Sequence, residues 1–197
     1  MSVSRETAER LAIYQGMIRQ WNPRINLVAP STLDDLENRH IADCLQVADL
    51  AGATTGTWAD LGSGGGLPGL VLAIAQADTD TDFTLIESDQ RKAAFLRAVV
   101  RETGLRRVTV LPRRIEAVPS LNAAYVSARA LAPLRQLVAY LALHLAPSGR
   151  AFLMKGRQWQ AEVEDARQDW IFDHVAHPSR TQDGAAILEV SGVKHGA

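Results

Sequence analysis

Between positions 58 and 69 the chain reads W-A-D-L-G-S-G-G-G-L-P-G, with five glycines in the eight residues 62–69. A short run ending in Asp60 and Leu61 precedes them, and the apolar stretch 67–75 that follows has helical character. The segment therefore predicts a strand, a tight turn and a helix. Residues without a Cβ, here Gly62, Gly64, Gly65 and Gly66, can take positive φ and let a ligand lie against bare backbone. Pro68 suits the first turn of the helix, where an amide hydrogen would lack a partner.

About 20 residues beyond that loop, 83–86 reads as a second buried strand, and it ends in Glu87. A carboxylate there can accept hydrogen bonds from the two hydroxyls of a ribose, which points to an adenosine-containing ligand. Gly64, Gly66 and Gly69 also satisfy the G-x-G-x-x-G dinucleotide pattern. Asp60 argues against a dinucleotide, because it sets a negative charge on the approach to where a pyrophosphate would lie. S-adenosylmethionine, with a sulfonium, an ammonium and no phosphate, fits better. A tight turn with no ligand and a dinucleotide site are the competing readings.

The 197 residues suit one domain with a small extension, divided at 1–52 and 53–197, and suffice for a proper core. A single cysteine, Cys44, cannot close an internal disulfide, and no apolar run is long enough to span a bilayer. With no signal-peptide pattern at the start, the expectation is a cytoplasmic protein without a membrane partner. Charge is uneven. Residues 1–90 hold 5 Lys/Arg against 13 Asp/Glu, residues 91–157 hold 13 against 2, and residues 158–197 hold 3 against 7. So basic a middle block suggests an anionic partner, nucleic acid first, unless its arginines are only solvated helix faces.

Taken in order, Val3, Thr7, Leu11, Tyr14, Ile18 and Trp21 recur at helical spacing, so the first twenty residues predict an amphipathic helix that Asn22-Pro23 stops. A second helix is expected from Ser31 or Thr32 as N-cap toward Leu50. Beyond Glu87 the pattern predicts a basic helix over 91–103, strands over 108–111 and 123–127, a helix over 133–145 and a strand over 151–154. A helical stretch near 159–167 and strands around 170–175 and 186–190 complete it. Alternating units of this kind imply an α/β fold with a doubly wound, mostly parallel sheet and a ligand at the carboxyl ends of its central strands.

Several fragments in this order together resemble one family. They are Arg39-His40-Ile41-Ala42-Asp43, the 60–69 loop with its L-P-G ending, Asp89-Gln90-Arg91-Lys92, Arg114-Ile115-Glu116, Ser127-Ala128-Arg129-Ala130 and Leu153-Met154-Lys155-Gly156. The chain resembles the RsmG (GidB) family of bacterial methyltransferases, which methylate N7 of a guanine in 16S ribosomal RNA of the small subunit. That resemblance implies a class I S-adenosylmethionine-dependent, Rossmann-like fold with a seven-stranded sheet and an N-terminal helical extension. It also implies that Gly62 and Leu67 line the methionine side of the cofactor, Glu87 the ribose, Ile115 and Glu116 the adenine, and Arg129 the cofactor or RNA edge. Asp60, Ser63, Gly64 and Gly66 complete the expected cofactor set. The chain departs from the family at Ala124 where it often has Asp, at Cys44 where it often has Ser, and at Ala185-Ala186 in place of a late Arg.

Guanine N7 presents a lone pair and no proton, so the implied reaction needs positioning rather than a general base. Arg129 and Lys155 are the candidates beside the reacting atoms, as ligands of phosphate or guanine O6. Arg91, Lys92, Arg97 and Arg101, with His40, are the candidate RNA contacts. His40 and Asp43, three apart, could instead be a hydrogen-bonded pair fixing the extension. No histidine and cysteine set has metal-ligand spacing, so no metal is expected. The four tryptophans read as core, and a monomer is the simpler expectation. A methyltransferase for a different RNA, a non-catalytic RNA-binding protein with this fold and an NAD-dependent oxidoreductase are the alternatives.

Overall fold

A computed structural model describes residues 3–196. Seven strands, β1 (Gly56–Leu61), β2 (Thr81–Ile86), β3 (Val108–Leu111), β4 (Ala123–Arg129), β5 (Leu145–Lys155), β6 (Trp170–Pro178) and β7 (Ala186–His195), form one sheet in the order β3-β2-β1-β4-β5-β7-β6. All neighbours pair parallel except β7, which runs against both β5 and β6. The chain proceeds from β1 outward through β2 to β3 and then returns to β4 on the other side. Between β1 and β4 the winding reverses, and this is where a doubly wound sheet opens a crevice at its carboxyl ends.

Helices cover both faces. Those before β4 are α1 (Arg5–Ile25), α2 (Ala42–Ala51), α3 (Gly69–Ala75) and α4 (Gln90–Glu102); α5 (Leu134–His144) and α6 (Trp159–Ala166) follow it. Residues of α1 to α4 share one buried cluster with Trp58, Phe83, Leu85 and Phe152, whereas α5 and α6 pack in a second with Ala59, Leu61, Val126 and Leu153. Alternation along the strands divides their side chains between these two layers. Trp58 is fully buried, with its ring centroid 5.1 Å from that of Tyr125, 5.5 Å from Phe83 and 5.8 Å from Phe152.

The N-terminal helices differ from the sequence expectation in ways the local chemistry explains. Val3 lies outside α1, whose N-cap is Ser4, its hydroxyl accepting the Thr7 amide hydrogen at 3.1 Å. Asn22-Pro23 does not stop the helix, which continues to Ile25 and ends at Asn26, in the left-handed region at φ 47°. Pro23 falls in the last turn, and the buried Asn22 side chain turns to the segment beyond. Its Oδ1 accepts the amide hydrogens of Leu27 (2.7 Å) and Val28 (2.9 Å), and its Nδ2 donates to the Val28 carbonyl at 3.1 Å. Neither Ser31 nor Thr32 caps a helix. Pro30–Thr32 is one 3₁₀ turn in which the Thr32 hydroxyl donates back to Ala29 O, and Glu37–Ile41 is a wide π-type turn leading into α2.

β5 begins at Leu145, six residues before the expected 151, and residues 147–149 are absorbed into it. Leu145 pairs with Ala123 and Arg150 with Tyr125, so the extra residues are taken up in a register shift. Gly149 permits this, since a Cβ there would sit 2.9 Å from the Ala123 carbonyl oxygen. β6 and β7 likewise run past their apolar cores, because antiparallel pairing needs only backbone.

α1 reaches the glycine loop directly: the buried Tyr14 hydroxyl donates to Gly65 O at 2.7 Å. Tyr14→Phe leaves that carbonyl without its partner and is expected to lower stability by about 0.5–1.5 kcal/mol. Urea unfolding monitored by tryptophan fluorescence measures it.

Candidate cofactor and RNA cleft

The loop after β1 lies at the rim of a cleft of about 530 Å³. The Ser63 amide donates to Ile86 O at 2.9 Å and the Gly66 amide to Ser63 O at 2.7 Å, so the loop folds on the end of β2. Glu87, at the carboxyl end of β2, secures it. One carboxylate oxygen accepts the Gly64 amide hydrogen at 2.7 Å, and the other accepts that of Asp89, also at 2.7 Å. Asp89 in turn caps α4, accepting from the amides of Arg91 and Lys92. Gly62, at φ 65°, faces Leu131 so closely that a Cβ would come 2.5 Å from Leu131 Cδ1.

Gly62, Ser63, Gly64, Leu67, Glu87, Ile115, Glu116 and Arg129 of the predicted cofactor set all border this cleft. Gly66 turns the loop at φ 92° behind them. Ile115 and Glu116 come from a 3₁₀ turn, Ile115–Ala117, too short to leave a periodic pattern in the sequence. Tyr140 on α5 carries no signal in the sequence: its hydroxyl donates to Glu116 Oε1 at 2.6 Å, and this bond holds the Glu116 carboxyl below its ordinary range. Among cations, Lys92, Arg113, Arg114 and Arg129 reach the rim. Arg113 and Arg114 are not among the residues expected at the site, although their place in the basic block and beside Ile115-Glu116 is a usable signal.

Asp60 is placed differently from the ligand-facing position its spacing suggested. Its side chain is fully buried beneath the loop and does not border the cleft. A chain of donors explains it: Trp58 Nε1–H donates to Ser127 Oγ at 2.9 Å, and the Ser127 hydroxyl donates to Asp60 Oδ1 at 2.6 Å. Asp60 Oδ2 has no partner, and burial raises the carboxyl to about 6, with the Ser127 bond opposing the shift.

Lys155 is also away from the main cleft. It borders a smaller cavity of about 260 Å³ with Asp43, Arg129, Ala130 and Ser179, and its ammonium lies 2.6 Å from the Glu162 carboxylate. Arg129 stands between the two spaces. Its guanidinium is 3.7 Å from Asp43 Oδ2 and donates to Arg39 O at 3.3 Å, so its ion pair runs to the N-terminal helices and not along the sheet edge. His40 and Asp43 do not bond to each other. His40 Nε2 lies 2.8 Å from Thr32 Oγ1, while Asp43 accepts from the hydroxyls of Ser179 (3.0 Å) and Thr181 (2.9 Å). Burial, then the nearby Arg129 and Arg39, lowers His40 to about 4. Cys44 is buried and raised to about 12, chiefly by desolvation, which makes it an inert thiol.

The basic helix is divided by geometry. Lys92 faces the cleft, Arg91 is exposed and pairs with Asp89 at 3.0 Å, and Arg97 and Arg101 line a separate groove with Arg106 beside β3. Among the described residues no group of three or more His, Cys, Asp or Glu side chains could hold a metal ion.

This sheet order, with β7 reversed and a glycine loop after β1, defines a class I methyltransferase fold. Solved structures of that class share it. A SAM dependent methyltransferase from Aquifex aeolicus superposes with a TM-score of 0.62 at 14% identity, covering 89% of this chain and 97% of that one. A SAM-dependent O-methyltransferase from Thermotoga maritima gives 0.63 at 15%, covering 93% and 73%. The chain belongs to the family rRNA small subunit methyltransferase G (GidB), which it matches over residues 7–186. Relatives named ribosomal RNA small subunit methyltransferase G include one from Paracoccus denitrificans (strain Pd 1222), 58% identical over 99% of this chain and 100% of that protein. Another, from Gluconobacter oxydans (strain 621H), is 48% identical over 98% and 97%.

Asp60 makes stability depend on pH. Its folded pKa of about 6 lies above the ordinary 3.8, so its contribution is fully present below pH 4 and is lost as pH rises through 6. A two-unit shift corresponds to about 3 kcal/mol. Asp60→Asn, which cannot ionise, is expected to gain that much relative to the native protein between pH 4 and 7, measured by urea unfolding across the range.

Proposed function

We propose that this chain transfers the methyl group of S-adenosylmethionine to N7 of a guanine in 16S ribosomal RNA of the small subunit, acting as a cytoplasmic monomer. Residues 1–52 are its helical extension and 53–197 its cofactor-binding unit. The observation that carries the reading is one cleft bordered by the glycine loop and Glu87 on one side and by Lys92, Arg113, Arg114 and Arg129 on another. A cofactor and a polyanion can meet there. No helix among the described residues is long and apolar enough to cross a membrane.

The residues present suit an adenosine-containing sulfonium. Each Glu87 oxygen accepts one amide hydrogen and keeps acceptor capacity for a ribose hydroxyl. Ile115 offers an apolar wall for an adenine, beside Glu116 held by Tyr140. When bound, S-adenosylmethionine supplies an electrophilic methyl that needs only an aligned lone pair. Guanine N7 has that lone pair and loses no proton, so no general base is required. His40, held near 4, is neutral at physiological pH and borders the cleft without adding charge to it. Arg129, in contact with both helical extension and cleft, is the residue to hold phosphate or guanine O6 beside the methyl. Orientation of this kind supplies ~7 to 11 kcal/mol of such barriers.

The direct test is methyl transfer from labelled S-adenosylmethionine to small ribosomal subunits, with the modified base mapped. Label in 7-methylguanosine at one position is expected, and cofactor binding without label in any RNA would overturn the substrate. Glu87→Ala is expected to weaken cofactor affinity tenfold or more, through loss of hydrogen bonds to a charged acceptor of about 1.5–3 kcal/mol each. Titration calorimetry reads this. Charge reversal at Arg97 and Arg101 together is expected to spare the cofactor while weakening RNA binding and reducing its salt slope by about one per lost phosphate contact. An unaltered slope would mean the groove beside β3 takes no RNA.

A further inference from the structure

The segment between β4 and α5, residues 130–133, forms a wall of the cleft, since Ala130 and Leu131 border it and Leu131 covers Gly62. It is not a relaxed turn. Ala130 sits in the left-handed region at φ 49°, which a residue with a Cβ adopts only where its surroundings hold it. Two groups hold it here. Lys155, at the end of β5, donates from Nζ to Ala132 O at 3.0 Å. Glu162 Oε2 on α6 accepts both the Lys155 ammonium (2.6 Å) and the amide hydrogen of Leu134 (2.7 Å), the first residue of α5. That amide belongs to the unsatisfied first turn of α5, where no side-chain cap from its own strand side exists. Both tethers, one on Ala132 and one on Leu134, fall within three residues of Leu131 on its C-terminal side.

We infer that Glu162, acting through Lys155 and the Leu134 amide, is a positioning residue that sets the 130–133 wall against the glycine loop and thereby controls how firmly the cofactor is held. The inference rests on the cofactor reading above, yet its structural half is independent of it. Lys155 has a side chain only 10% exposed and spends its charge on Glu162, so it works on the wall rather than on substrate. Arg129 and Ala130 adjoin both the main cleft and the smaller cavity, so displacing the wall disturbs both.

The test compares Glu162→Ala, Glu162→Gln and Lys155→Met in the full chain. Hydrogen exchange at the Leu134 amide reads the tether without any ligand, and calorimetry with S-adenosylmethionine reads its consequence. Glu162→Ala is expected to speed exchange at this amide at least tenfold while distant β1 amides keep native rates, and to raise the cofactor Kd about tenfold. Glu162→Gln keeps an acceptor for Leu134 and is expected to recover part of both effects. Combining Lys155→Met with Glu162→Ala is expected to add less than the two effects separately, because both act on one tether. Native exchange at Leu134 in Glu162→Ala overturns the tether. Faster exchange there with an unchanged Kd overturns the link to the cofactor. Should the native protein bind no S-adenosylmethionine, the cofactor reading fails, and the exchange data still decide whether Glu162 holds the wall. If Glu162→Ala does not fold, Glu162→Gln and Lys155→Met carry the same comparison.

Discussion

The Glu87 carboxylate, accepting one amide hydrogen from the glycine loop and one from Asp89, is the interaction on which the carboxyl end of the sheet depends. A loop with five glycines has few side chains with which to hold its own shape. Its polar backbone groups must find partners elsewhere, and they do: Glu87 and Ile86 O from β2, and Tyr14 from α1. One carboxylate thus couples β1, β2 and the start of α4, and remains positioned to receive a ligand.

Beneath this arrangement lies a second, fully buried one. Trp58, Ser127 and Asp60 link the neighbouring strands β1 and β4 through successive donors, at the point where the winding of the sheet reverses. Taking a carboxyl out of water in that position is costly, and its raised pKa expresses the cost. Asp60 consequently supports the loop from below rather than meeting a ligand. Arg129, one strand end away, is tied in the same manner to Asp43 and Arg39, which makes the N-terminal helices part of the cleft wall.

What was legible in the sequence follows from how local its physical cause is. The glycine loop, Glu87 and the order of strands and helices rest on chain-neighbour patterns, and they are found where expected. Pro23 did not end α1 because Asn22 is stabilised by Leu27 and Val28, contacts that reward the longer helix. The start of β5 moved because Gly149 can approach the Ala123 carbonyl, a partner 26 positions away. Tyr140 and Glu162 carry no motif of their own. Their importance comes from meeting Glu116 and Lys155, and nothing in their own segments announces it.

By itself the sequence determined the α/β class, the strand-loop-helix at its centre, the acidic residue one strand later and the concentration of positive charge in residues 91–157. Each of these depends on backbone propensity, periodicity or composition, which act along the chain. Only the tertiary structure decided which charges are free. It buried Asp60, neutralised Lys155 with Glu162, set Arg129 between two cavities and separated Lys92 from Arg97 and Arg101. The physical reason is that an ionisable group's role depends on its desolvation and on the opposite charge it meets, and both are properties of the folded surroundings.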